Sequence, residues 1–143
     1  MKKKIIFLVI GVMLICYVNS NAQNTKYGIN AFLNNITGNY NSAFGYSSLN
    51  KNTGGSYNTA TGHRALNSNT TGNYNTSSGV YSLFNNSIGF NNTAIGAYSM
   101  YFSSSNNNNT AVGYYSLFAN KGNGNTALGS SCLYSNTDRK SVV

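Results

Sequence analysis

The sequence predicts an all-β protein, a parallel β-solenoid of about seven 17-residue windings that follows an N-terminal signal peptide. Three observations predict it. A glycine returns at Gly28, Gly45, Gly62, Gly79, Gly96, Gly113 and Gly129, at spacings of 17 residues five times and 16 once. The residues around each glycine repeat their type at fixed offsets. Aromatic residues are also frequent, at 13% of the chain, which polar linkers are not. A period this short marks a chain that stacks on itself instead of folding around one central core.

Residues 1–22 read as the signal peptide. Lys2, Lys3 and Lys4 form the positive start, Ile5 to Val18 is an apolar run, and Ser20-Asn21-Ala22 supplies small residues at the cleavage site. A membrane anchor is the alternative, but the run is short for a span of about 20 residues. Cys16 does not read as a lipoprotein acceptor, because the bulky Ile15 precedes it.

Residues 23–137 are the repeat region. Four places before each glycine stands Asn, at Asn24, Asn41, Asn58, Asn75, Asn92, Asn109 and Asn125. Thr or Ser follows it, from Thr25 and Ser42 to Thr126. Next comes a small residue (Ala43, Ala60, Ser77, Ala94, Ala111, Ala127), with Lys26 the one exception. Three places after the glycine every copy is small, from Ala31 to Cys132. Four places after it stand Phe32, Leu49, Leu66, Leu83, Met100, Leu117 and Leu133.

Stacking places each of these columns in register, with rungs about 4.8 Å apart. Stacked Asn amides can bond to their neighbours above and below, forming a structural ladder. The glycines supply positive φ or close backbone approach, and the Leu column fills the space between the small columns. The stretches from Asn50 to Ser56 and from Asn67 to Asn73 read as turns. The one missing residue falls in such a stretch, between Leu117 and Gly122. The segment from glycine to Leu can equally be read as a single helical turn. The richness in Asn, Ser, Gly and Thr also permits a disordered low-complexity chain. The strict phase of the columns speaks against it.

Residues 138–143, Asp138-Arg139-Lys140-Ser141-Val142-Val143, break the repeat. They can be encoded by GAT-CGG-AAG-AGC-GTC-GTG, which resembles a common sequencing-adapter sequence. The tail is therefore read as an artefact, with further repeats in the natural chain. Of the +8 formal charges, three come from the signal lysines and a net one from this tail. The remaining four, on Lys26, Lys51, Arg64 and Lys121, are scattered and form no nucleic-acid stripe. With Cys16 removed, Cys132 stands alone in the mature chain, so there is no disulfide framework.

The stretches Gly38 to Leu49 and Asn91 to Met100, and the Thr-Ala-Ile-Gly, Thr-Ala-Val-Gly and Thr-Ala-Leu-Gly cores that begin at Thr93, Thr110 and Thr126, carry a resemblance. Asn24 to Thr137 resembles the head repeats of trimeric autotransporter adhesins, and is similar to the repetitive shafts of phage-type tail fibres. The resemblance implies a left-handed parallel β-roll, three chains side by side, and an adhesive or spacer role at the cell surface. The period of 17 is longer than that family's usual head repeat. The family's stalk, anchor barrel and intramolecular chaperone have no counterpart in this chain.

The repeats hold no Asp or Glu, so carboxylate catalysis and carboxylate metal sites are excluded there. His63 shares its column with Tyr46, Val80, Ala97, Tyr114 and Ser130, and reads as a solvent-facing side chain. Cys132 occupies a small-residue position and reads as a packed thiol. No catalytic residue, metal ligand or cofactor is expected. The aromatic columns are the remaining binding candidates. Tyr40, Tyr57 and Tyr74 lie five before the glycine, Tyr81, Tyr98 and Tyr115 two after it, and Phe84, Tyr101, Phe118 and Tyr134 five after it. Tyr81, Tyr98 and Tyr115 are the ligand-facing candidates, the alternative being rings that pack on one another or between protomers.

The expected function is therefore a non-enzymatic, secreted structural and adhesive module at the cell surface, on the exterior of an outer membrane, and a fragment of a longer adhesin. The partners expected are two further copies in a homotrimer and a glycan or protein surface. No nucleic acid is expected, and a membrane only through an anchor outside this chain. The alternatives are a tail-fibre-like spacer shaft and, third, ice binding through the Thr column. Genomic DNA that continues past Thr137 in a repeat frame, without the six tail codons, is the expected result of sequencing the locus; the same codons in uninterrupted genomic DNA would overturn the reading of the tail.

Overall fold

The computed structural model describes residues 7–9, 12–14 and 23–137. Lys2–Lys4, Cys16, the Ser20–Ala22 cleavage site and the tail Asp138–Val143 lie outside these residues. Two short strands, β1 (Phe7–Val9) and β2 (Val12–Leu14), pair antiparallel. The rest is a solenoid, with no helix among the described residues.

Each copy of the repeat contributes one three-residue strand: β3 (Thr25–Tyr27), β4 (Ser42–Phe44), β5 (Thr59–Thr61), β6 (Thr76–Ser78), β7 (Thr93–Ile95), β8 (Thr110–Val112) and, after the two-residue β9 (Ala119–Asn120), β10 (Thr126–Leu128). These form one parallel sheet in the order β10-β8-β7-β6-β5-β4-β3. The register places Thr25 beside Ser42, Ser42 beside Thr59, and so on to Thr110 beside Thr126. A second parallel pair joins β9 to β11 (Ser135–Asn136). Earlier windings carry the same inter-winding bonds there, as where Lys51 N–H donates to the Asn67 carbonyl at 3.0 Å.

Successive side chains of a strand point to opposite faces. In Thr59-Ala60-Thr61 the outer two are exposed and Ala60 is buried. The column two before the glycine is thus the floor of the core, and Ala43, Ala60, Ala94, Ala111 and Ala127 are fully buried. Opposite lie the small column Ala31 to Ser116 and the fully buried Leu49, Leu66, Leu83, Met100 and Leu117. Each such side chain contributes about 1.5–3 kcal/mol by leaving water. Where Ser77 replaces alanine, its hydroxyl donates to the Ser82 carbonyl at 2.9 Å. Lys26, half-buried at the outermost winding, is the only charge in this column.

The segment from glycine to Leu is a turn. Ser48 N–H returns to the Gly45 carbonyl at 3.3 Å and Asn52 N–H to the Leu49 carbonyl at 3.2 Å, two successive three-residue closures. What prevents a helix is the backbone: Leu49, Leu66, Leu83, Met100 and Leu117 hold φ between 45° and 52°. A left-handed non-glycine residue costs roughly 1–2 kcal/mol, about what burial of its side chain returns.

The missing residue is absorbed between Asn120 and Gly122. Asn86 Nδ2 reaches the carbonyl three residues on, at Gly89, whereas Asn120 Nδ2 reaches the carbonyl two residues on, at Gly122.

The register glycines are required twice over. Gly79 has φ 137°, and a Cβ there would lie 2.6 Å from the Gly96 carbonyl carbon and oxygen in the next winding. At Gly129, in the last winding described, φ is 131° but the nearest atom to such a Cβ is Cys132 Cβ at 4.0 Å. Gly79→Ala is therefore expected to lose about 3 kcal/mol or more in urea unfolding, and Gly129→Ala about 1–2 kcal/mol. Equal losses would show that close approach between windings is not the constraint.

Candidate binding surface and its scaffold

Two ladders of buried asparagine hold the outward columns in place. In the first, Asn41 backbone N–H donates to Asn24 Oδ1 at 2.8 Å, and Asn58, Asn75, Asn92, Asn109 and Asn125 repeat this bond onto the Asn below. From Asn58 to Asn109 the side-chain Nδ2 donates to the same oxygen, at 3.1 Å each time.

The second ladder lies seven places after the glycine. Asn52 Nδ2 donates to Asn35 Oδ1, Asn69 to Asn52 and Asn86 to Asn69, at 2.7–3.0 Å. Both ladders also meet on one backbone oxygen in each of the first four windings, beginning with Gly38. Gly55 O accepts from Asn41 Nδ2 at 2.8 Å and from Asn52 Nδ2 at 2.9 Å, and Gly72 and Gly89 do the same for their windings.

The second ladder breaks once. Ser103 stands where Asn is required, and Asn86 Oδ1 and Ser103 Oγ are both buried without a hydrogen-bond partner. The same winding has Asn106 where the others have glycine. The two changes are sterically linked. A Cβ on Gly89 would lie 2.2 Å from Asn86 Oδ1, three residues earlier. The shorter Ser103 lacks that oxygen, which removes one of two obstacles; the other at Gly89 is the carbonyl of the next winding, 2.4 Å from such a Cβ.

On the outside, the first tyrosine column stacks face to face. Tyr40, Tyr57 and Tyr74 are exposed, with ring centroids 4.9 Å apart and interplanar angles of 11° and 3°. Tyr81, Tyr98 and Tyr115 are half-buried and stack at 5.3 and 5.1 Å. Beside them Phe84, Tyr101, Phe118 and Tyr134 stack at 4.9–5.5 Å. The two columns meet edge to face, as at Tyr115 and Phe118, 4.9 Å apart at 69°.

Ring faces in these columns are thus turned along the rod axis and covered by one another. Below Tyr81, Arg64 closes the stack, its guanidinium carbon 5.8 Å from the ring centroid and Nη1 3.4 Å from the hydroxyl. The neighbouring Tyr114 side chain, by hydrogen bonding, together with desolvation, raises the Tyr115 phenol above its usual pKa.

Family models, curated proteins and solved structures give no match to this chain. His63 is exposed and stacks on Tyr46 at 5.3 Å, at an interplanar angle of 10°. Cys132 is half-buried against the core. The second Asn ladder and the packing of the Phe84 column on the Tyr81 column were not read from the sequence. The recurrence of Asn35, Asn52, Asn69, Asn86 and Asn120 at one offset was the available signal for the former.

The pairing of Ser103 with Asn106 gives a test. Ser103→Asn alone is expected to gain nothing, because its carboxamide meets the Asn106 side chain. With Asn106→Gly added, the double variant regains the ladder bond and gains about 1–3 kcal/mol in urea unfolding. Additive effects of the two substitutions would refute the steric link.

Proposed function

We propose that this chain is a non-enzymatic structural and adhesive repeat module of an extracellular surface protein, a fragment of a longer adhesin. The observation that supports it best is the division of labour among the columns. Inward columns of Asn, Ala, Ser and Leu build the rod and are spent on one another. Outward columns repeat at the winding spacing, so a partner that repeats its own groups is met several times at once. Many weak contacts on a rigid rod then sum to avidity without any one deep pocket.

In this reading the chain leaves the cell by its N-terminal signal and works at the cell surface as a homotrimer. A trimer is supported by the column just before the glycine, which leaves Tyr27, Phe44, Ile95 and Leu128 exposed on the outer face of the sheet of a single chain. Aromatic edges with hydroxyls beside Asn and Ser suit hydrogen bonding to glycan hydroxyls. Stacking of a sugar on a ring face is confined to the column ends, because the other faces are covered.

The spacer-shaft reading draws support from that same outer column, which runs Tyr27, Phe44, Thr61, Ser78, Ile95, Val112, Leu128 and never settles on one recognition residue. The same variation counts against an ice-binding lattice beside the Thr column. A glycan array probed with the full chain separates adhesin from shaft. The adhesive reading expects bound signal that falls at least about tenfold in Tyr81→Ala, the loss of one aromatic contact multiplied by its repetition. Absence of signal on every glycan, with binding found only in sequence beyond residue 143, would make the module a shaft.

A further inference from the structure

We propose that Tyr40, Tyr57 and Tyr74 are a site of oxidative cross-linking, at which a peroxidase-type oxidant joins neighbouring windings through dityrosine bonds. Three features of the column carry this.

The first is geometry. The rings are held parallel, 11° and 3° from coplanarity of their planes, with centroids 4.9 Å apart. One winding translates almost onto the next, so each ring lies stacked on its neighbour. The backbone beneath is fixed, with Tyr57 N–H on the Asn39 carbonyl at 3.0 Å and Tyr74 N–H on the Ser56 carbonyl at 3.1 Å.

The second is access. These three rings are 47%, 48% and 58% exposed. An oxidant can reach them, and they have room to swing from a stacked to an edge-joined arrangement, as a bond between ortho carbons demands. Tyr81, Tyr98 and Tyr115 are half-buried and lack that room, because Phe84 and Phe118 hold Tyr81 and Tyr115 edge-on and Tyr101 packs tilted against Tyr98 at 5.8 Å.

The third is conformational cost. Tyr40, Tyr57 and Tyr74 have φ of 56°, 59° and 57°. Bulky side chains are poorly suited to this left-handed region, whereas Asn and Gly tolerate it. The same offset in later windings carries Asn91, Asn108 and Gly124, residues that fit it. Tyr81, Tyr98 and Tyr115 bear the same cost at 57°, 58° and 56° but are half-buried; at the exposed Tyr40, Tyr57 and Tyr74 burial repays less of it, which points to a use for the ring. Strain of this kind accompanies functional positions.

The step balances with hydrogen peroxide as co-reactant. Each phenol gives up one electron and one proton, and peroxide takes up two of each to become two waters. The two tyrosyl radicals form a carbon–carbon bond between ortho carbons. The ortho hydrogens then leave those carbons as protons, and each oxygen regains one, restoring both aromatic rings. Every bond formed closes a 17-residue loop between adjacent windings and fastens the rod lengthwise.

The full chain is treated with hydrogen peroxide and a haem peroxidase, and the monomer fraction is digested for peptide mapping. The expected result is dityrosine fluorescence in the monomer, with linked peptides Tyr40–Tyr57 and Tyr57–Tyr74 and a higher unfolding midpoint. Tyr57→Phe keeps the ring stack and loses both links, while Tyr40→Phe and Tyr74→Phe each lose one and keep the other. Links found only between molecules, or unchanged intramolecular fluorescence in a folded Tyr57→Phe, would overturn the proposal.

Discussion

One doubly bonded backbone oxygen in each of the first four windings anchors the solenoid. At Gly55 that carbonyl receives two asparagine amides, from Asn41 in the strand ladder and Asn52 in the turn ladder. It thereby pins the two ends of the winding to each other, while the Oδ1 atoms of the same asparagines accept bonds from the winding above. A buried amide left without partners costs about 1–3 kcal/mol. The ladder therefore tolerates little change in register, and the register fixes the length of the repeat. It also dictates glycine at the acceptor: a Cβ on Gly55 would lie 2.4 Å from both Asn52 Oδ1 and the Gly72 carbonyl oxygen. Where the chain departs from this arrangement, at Ser103 and Asn106, it departs at both positions together.

The apolar core is narrow by comparison, about one Leu-sized side chain and two small ones per winding. Three residues per winding beside the glycine adopt left-handed backbone, as Tyr57, Arg64 and Leu66 show. Such a chain can afford these corners only because every inward side chain has a bonded or packed neighbour in the adjacent winding. Stability is a property of the stack, and a lone winding has none of it.

Much of this was legible in the sequence because translation repeats the same environment. A period of 17 with small, Leu and Asn columns leaves little choice but parallel windings, and the missing residue fell in a connection that has slack. Other features were hidden for physical reasons. Asparagine is so common near the turn, at Asn34, Asn50, Asn67 and Asn85 as well, that the structural column at Asn35, Asn52 and Asn69 did not stand out. The Gly-to-Leu segment left helix and turn open, since spacing alone does not reveal the sign of φ at Leu49. The direction of the aromatic rings was likewise beyond reach. A column of tyrosines reads the same whether its faces look outward or along the axis, and neighbouring rings at one winding's separation choose the latter.

Lys26 has a consequence for what the rod does not become. A stack of equivalent interfaces has no intrinsic stopping point, and an open strand edge is a template for another molecule. At β3 the half-buried Lys26 stands in the column that elsewhere holds alanine or serine. Any molecule that added there would have to enclose the charge. Such a residue makes β3 a poor template for a second copy of this chain.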